Sequence, residues 1–240
     1  EVDMVPLERQ DLPAVEGDAA LKSQLKFFDR PVIWYLGMNC NVYEPFKKKE
    51  VRQAVGMAID IDDIVKTTLN GNVTRATGIV PKGVFGYQEQ SNMLKFDPVK
   101  ARDLLAKAGY PGGKGLPKFE LNFREARPDI QIVAARIASD LKKNLGMDVS
   151  LRSMEWRAYL EKHNKKEMPF FHMRWGADYL DAENFLSTLL ASYGPENKVN
   201  YVNPEYDALC AKADTTADSA ERLKLYAQAQ DIVLQDAPFI

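Results

Sequence analysis

The chain has 240 residues, 45% of them apolar, which is enough for a sizeable core in one large or two modest domains. A formal net charge of −2 and the lack of any sustained Lys/Arg block exclude a surface built for nucleic acid or for an anionic membrane, since both need concentrated positive charge. No apolar stretch approaches the roughly 20 residues that cross a bilayer, and Cys40 and Cys210 form neither a CxxC nor a metal-ligand spacing.

In chain order, Glu1 to Gly17 read as an irregular, acidic opening, Ala19 to Asp29 as a short helix and Val32 to Asn39 as a strand. Lys47, Lys48 and Lys49 form a solvated turn before two helices, Val51 to Ile59 and Ile61 to Leu69, broken at Asp60. Asp62 can cap the second of these, and Asn70-Gly71 stops it. Val73 to Phe96 hold Gly, Pro and Asn without sustained periodicity, as in a long ordered loop or a crossover between layers. Asp97-Pro98 then supplies an N-cap and a proline at the first helical position, and Ala101, Leu104, Leu105 and Ala108 fall at helical spacing up to Gly109. Phe119, Leu121 and Phe123 alternate as a half-buried strand, and the helical spacing of Ile130, Val133, Ala134, Ile137, Leu141 and Leu145 ends at Gly146. A strand at Met147 to Leu151, a helix at Trp156 to Lys165 and a strand opening at Phe170 complete the pattern of a parallel or mostly parallel sheet covered by helices. The tail is helical over Pro204 to Ala213 and Ala220 to Gln235.

No catalytic set can be assembled, and no cofactor or metal site is expected. GxSxG and HExxH are both absent, and Gly109 to Gly115, GYPGGKG, follows a helix where a phosphate loop follows a strand, so it reads as a turn. His163 and Glu167, four apart among lysines, read as a surface pair. A binding site finds more support in Phe170 to Leu190, FFHMRWGADYLDAENFLSTLL. There an apolar strand ends at Gly176 and Ala177, which leave the backbone nearly bare, just before Asp178 and Asp181. Bare backbone beside a fixed negative charge suits the main chain and ammonium of a small ligand, and ligands of open α/β sheets bind beyond the carboxyl ends of the strands. Asp181 has a second reading as the cap of the following helix. His172 lies on the same strand as either a ligand contact or a half-buried, satisfied side chain. Asn39 ends the Val32 strand in the same manner, and Trp34, Tyr35 and Trp175 are candidate apolar walls.

Six collinear segments carry a family resemblance: WYLGMNC (Trp34 to Cys40), PFKKKEVRQAVGMAIDIDDIV (Pro45 to Val65), FDPVKARDLLAKAGY (Phe96 to Tyr110), LKKNLGMDVSLRSMEW (Leu141 to Trp156), WGADYLDAENFL (Trp175 to Leu186) and RLKLYAQAQDIVLQDAPFI (Arg222 to Ile240). Together they resemble the extracytoplasmic solute-binding proteins of family 5, which serve ABC importers of oligopeptides, dipeptides, nickel and some sugars. The resemblance implies an α/β lobe of the type II periplasmic-binding-protein kind, with a mixed or mostly parallel sheet flanked by helices. It further implies that residues 1–31, with EVDMVPLE, are a lobe crossover, that residues 32–240 are the C-terminal lobe, and that the N-terminal lobe is missing. The implied partners are a peptide or other small solute, a membrane permease and that first lobe, with no nucleic acid. The implied setting is periplasmic or otherwise extracytoplasmic, soluble or lipid-tethered. By position, Asp178 is the implied amine anchor, Trp175, Gly176 and Ala177 the backbone-pairing edge and Asp181 the second candidate anchor. The sequence departs from the family pattern with Ala182 where proline is common, and with Arg174 and His172 near the site, where they can meet a ligand carboxylate or neutralise the aspartates. A nickel complex, an oligosaccharide, or a borrowed lobe serving as a sensor or interaction module are the alternatives.

Overall fold

The computed structural model describes residues 4–7, 11–28, 30–89 and 93–240. It opens with two short helices, α1 (Leu12–Gly17) and α2 (Ala19–Gln24), neither of which buries a residue. The α1 turn corrects the expectation of an irregular opening: a helix with no buried face leaves no hydrophobic period to read. Asp18 caps α2 by accepting from the N–H groups of Ala20 and Leu21, and the helix ends at Gln24. Asp29, where it was expected to end, lies outside the described residues, as do Glu1 to Asp3 and Glu8 of the expected lobe crossing.

Strand β1 (Val32–Met38) leads to α3 (Lys49–Ala58) and to α4 (Ile61–Asp63), which continues as a π-helical segment, Ile64–Thr68. Asp60 itself caps α4, its carboxylate accepting from Asp63 N–H at 3.0 Å. Asp62, the expected cap, sits inside the first turn and pairs with Arg75. Helix α5 (Pro98–Lys107) begins as its sequence requires, with Asp97 accepting from Lys100 N–H and Pro98 in the first turn. Then follow β2 (Phe119–Arg124), α6 (Pro128–Leu145), β3 (Val149–Met154), α7 (Trp156–Asn164) and β4 (Phe170–Gly176). Gly146 ends α6 at φ 70°, the left-handed conformation that glycine adopts without strain. The chain closes with α8 (Ser187–Leu190), α9 (Pro204–Thr215) and α10 (Ser219–Asp236).

The four strands form one sheet in the order β1-β4-β2-β3. β2 runs parallel to both β3 and β4, while β1 is antiparallel to β4, so the expected α/β class with a mixed sheet holds. Alternation along the strands sends side chains to two separate cores. Leu36, Met38, Leu121 and Phe170 pack with residues of α3, α5 and α6, whereas Ile33, Tyr35 and Phe171 pack with residues of α7 to α10. The outer edge of β1 is also covered, because Leu36 exchanges main-chain hydrogen bonds with Ile240 at 2.8 and 3.0 Å and Met38 N–H donates to Pro238 O.

His163 departs from its expected place on the surface. It is 4% exposed on α7, edge-on to Phe171, with Nε2 unpartnered. Its helical face, shared with Tyr159, turns inward. Both cysteines are free thiols, and burial pushes that of Cys210 up to about 12.

Candidate functional site

Because β2, β3 and β4 are mutually parallel, their carboxyl ends at Arg124, Met154 and Gly176 share one rim of the sheet. The antiparallel β1 brings its first residue to that rim: Val32 pairs with Gly176, and Met38 with Phe170. Asn39 therefore sits at the opposite end, which overturns its assignment to the ligand side. It is fully buried there. Its Nδ2 donates to Lys166 O at 2.9 Å and Lys198 O at 3.3 Å, and its Oδ1 accepts from Asn200 Nδ2 at 2.9 Å and from the N–H groups of Asn41 and Val42. Such a side chain ties loops together and has no capacity left for a ligand.

The main chain of β4 alternates in direction along the strand. Ala177 N–H donates to Pro31 O and Asn39 N–H to Pro169 O, so odd-numbered residues of β4 point their peptide groups at β1. Even-numbered residues point the other way: Phe170 O accepts from the Asn122 side chain and His172 O from the Tyr159 hydroxyl at 2.7 Å. The register with β2 stops at Asn122 and Phe171. Beyond it, the peptide groups of Arg174 and Gly176 turn to the side of β4 where, among the described residues, no strand is paired with them, a slot in the sheet. Of the expected pairing edge Trp175, Gly176 and Ala177, only Gly176 thus turns its backbone to the slot, joined by Arg174 two residues earlier; Trp175 pairs with Ile33 of β1, and Ala177 N–H donates to Pro31 O just before it.

Past the strand end the side chains assemble around Asn184, which the sequence reading passed over. Asn184 is 2% exposed, and its Oδ1 accepts from Trp175 Nε1 at 3.0 Å and from Asp178 N–H at 3.1 Å. Asp178 is exposed at the rim. Asp181 is committed elsewhere. Its carboxylate accepts from Glu183 N–H and from both terminal nitrogens of Arg222, at 2.6 and 2.8 Å. Arg222, on α10, also donates to Ala213 O and Tyr226 and lies over the Phe85 ring. Asp181 is accordingly a cap and an ion-pair partner, the structural alternative read from its spacing. The signal for Asn184 lay within the quoted WGADYLDAENFL, since a polar amide beside Phe185 and Leu186 in an apolar turn requires partners.

Trp34 and Trp175 do not form one wall. Trp34 stands opposite Arg174 in the register, and Trp175 opposite Ile33, so the two indoles leave the sheet on opposite faces. Trp34 is 43% exposed, with the His172 ring 5.1 Å away and the Arg127 guanidinium over it at 5.6 Å. Tyr35 is buried, stacked on Phe239. Burial lowers the pKa of His172 to about 4, against the opposing pull of Asp129, so this imidazole is neutral at physiological pH. The exposed Arg174 brings a cation to the Trp34 side of β4, while Asp178 brings an anion to the rim with Trp175.

The rim is open. A hollow of about 560 Å³, lined by Lys49, Asn203, Gln235 and Asp236 among others, includes none of Arg174, Trp175, Gly176 or Asp178 in its walls. Among the described residues no cluster of His, Cys, Asp or Glu could hold a metal ion.

Residues 1–197 match a family described as bacterial extracellular solute-binding proteins, family 5 Middle. The heme-binding protein A of Haemophilus influenzae is 35% identical over 204 residues, which are 82% of this chain and 36% of that protein. The glutathione-binding protein GsiB of Escherichia coli is 35% identical over 213 residues, 86% of this chain and 41% of its own length. In three dimensions the murein tripeptide binding protein MppA of Escherichia coli superposes with a TM-score of 0.86 at 26% identity, over 96% of this chain and 45% of that one. The chain spans less than half the length of these relatives.

Proposed function

Because the chain belongs to the bacterial extracellular solute-binding proteins of family 5, we propose that it forms one lobe of the solute-capturing component of an ABC-type importer, and that the solute is a peptide. The lobe works outside the cytoplasmic membrane, free or lipid-tethered, with a second lobe closing over the rim and a membrane permease receiving the solute. Binding, with no bond made or broken, is its whole task.

One observation carries the peptide reading: the peptide groups of Arg174 and Gly176 face a slot where the register with β2 has ended, two residues before the exposed carboxylate of Asp178. An extended peptide laid in that slot gains main-chain hydrogen bonds whatever its side chains, and its terminal ammonium meets Asp178. Residues 32–240 supply this surface as one unit, with residues 1–31 as the crossing to the other lobe.

Calorimetry on the two-lobed protein with trialanine tests the reading. Asp178→Asn should weaken binding by about 2–5 kcal/mol, the range for removing one partner of a hydrogen-bonded charge pair, and N-acetyl-trialanine should bind the unaltered protein with a comparable loss. Undiminished binding of the acetylated peptide would sink the anchor role of Asp178. Tight binding of heme or a sugar with none of trialanine would replace the peptide by another solute on the same scaffold.

A further inference from the structure

The bonds of Asn184 cross the site itself. Its Oδ1 receives the Trp175 indole and the Asp178 main chain, which flank the bare Gly176–Ala177 step, and its Nδ2 lies 3.5 Å from Asp178 Oδ2. An amide oxygen has two acceptor positions, and both are filled; the amide nitrogen, a donor, is what faces the carboxylate. A carboxylate in place of the amide would set a second negative charge against Asp178. An alkyl group would strand the indole N–H and the main-chain N–H together. Asn184 is itself held, because its own N–H donates to Asp181 O at 3.1 Å and the Asp181 carboxylate is clamped by Arg222. A line of contacts thus runs from α10 through Arg222, Asp181 and Asn184 to Asp178.

We propose that Asn184 is a positioning residue for solute capture, which locks the Trp175 indole and the Asp178 main chain into one rigid corner. The Asp178 carboxylate is then presented in a single orientation before the solute arrives, which removes an ordering cost from binding. This rests on Asp178 being the amine anchor.

The test has two arms in the two-lobed protein. In the ligand-free state, Asn184→Ala should shift the Trp175 indole N–H resonance and speed amide exchange at Asp178 at least tenfold, with the amide of Leu121 in β2 unaltered as the folding control. In calorimetry with trialanine, Asn184→Ala should lose about tenfold in affinity alone and less than twofold when added to Asp178→Asn, because it acts through that carboxylate. Asn184→Ser, which keeps one acceptor, carries both arms if the alanine variant does not fold. An unshifted indole signal, or losses that multiply in the double variant, would overturn the proposal. Loss at Asp178→Asn with wild-type affinity at Asn184→Ala overturns the positioning role alone, whereas full affinity at Asp178→Asn overturns the anchor and the positioning role with it.

Discussion

Asn39→Ala separates a structural role from a ligand role in one measurement. The substitution removes the donor to Lys166 O and Lys198 O and the acceptor for Asn200 Nδ2, contacts that join β1 to chain segments more than 120 residues away. The Asn41 and Val42 N–H groups it also strands belong to exposed residues and can turn to water. At about 1 kcal/mol net for each long-range bond, the loss is about 3 kcal/mol. For 240 residues, an unfolding entropy of about 2.1 cal/mol/K per residue converts this into a melting temperature roughly 6 °C lower. Differential scanning calorimetry reads the shift, and trialanine affinity of the two-lobed protein, taken well below the melting point, should stay within twofold. A fall of less than 2 °C, accompanied by lost affinity, would show that Asn39 serves the solute after all and that the rim was assigned to the wrong end of the sheet.

Arg222→Met should cost about 2 kcal/mol, between the values for exposed and buried pairs, since the Arg222 and Asp181 side chains are 20% and 23% exposed; urea titration checks it, and a change below 0.5 kcal/mol would make the pair a surface ornament. His163, buried and neutral with its pKa lowered to about 4 by burial, takes up a proton more readily unfolded, at about 6.5, so stability should fall as pH drops from about 6.5 towards 4 by up to about 3 kcal/mol from this group. His163→Phe should make that acid limb shallower in urea titrations at pH 7, 5.5 and 4.5, with the share of the likewise buried His172 remaining, and an equally steep limb in the variant would clear His163 of responsibility. Gly37→Ala would drive its methyl group into the Phe171 ring across the strand pair; the expected cost is about 1–3 kcal/mol of overpacking, and a melting curve identical to wild type would contradict it.

Elements with a strong local cause were legible in the sequence. Asp97-Pro98 and Gly146 mark helix ends through their own side-chain and backbone chemistry, and the alternation of Phe119, Leu121 and Phe123 follows from one buried face. Strand direction has no such local cause. Nothing in Val32 to Met38 tells which way the strand runs against β4, so Asn39 could be given a place at the end of a strand without the knowledge that this end lies across the sheet from Gly176. For the same reason the sequence could name Trp34 and Trp175 as candidate walls without placing them on opposite faces, because which residue faces which is decided by pairing. Of the site, WGADYLDAENFL drew attention to the right corner, but the division of labour inside it, with Asp181 held by Arg222 and Asn184 joining Trp175 to Asp178, depends on partners up to 41 residues distant.

The covered rim of β1 bears on what the sheet does in the company of extended chains. A sheet can recruit a foreign strand wherever a row of peptide groups is unsatisfied, and a protein that handled peptides with open rims would also be prone to fibre growth. Here one outer rim is occupied by Pro238 to Ile240 of the chain itself. The other, β3, is a six-residue strand carrying Arg152, a charge that discourages stacking of like copies. What is left among the described residues is the stretch of β4 at Arg174 and Gly176 beyond the end of its register with β2, two peptide units and no more, too few to template a growing ribbon.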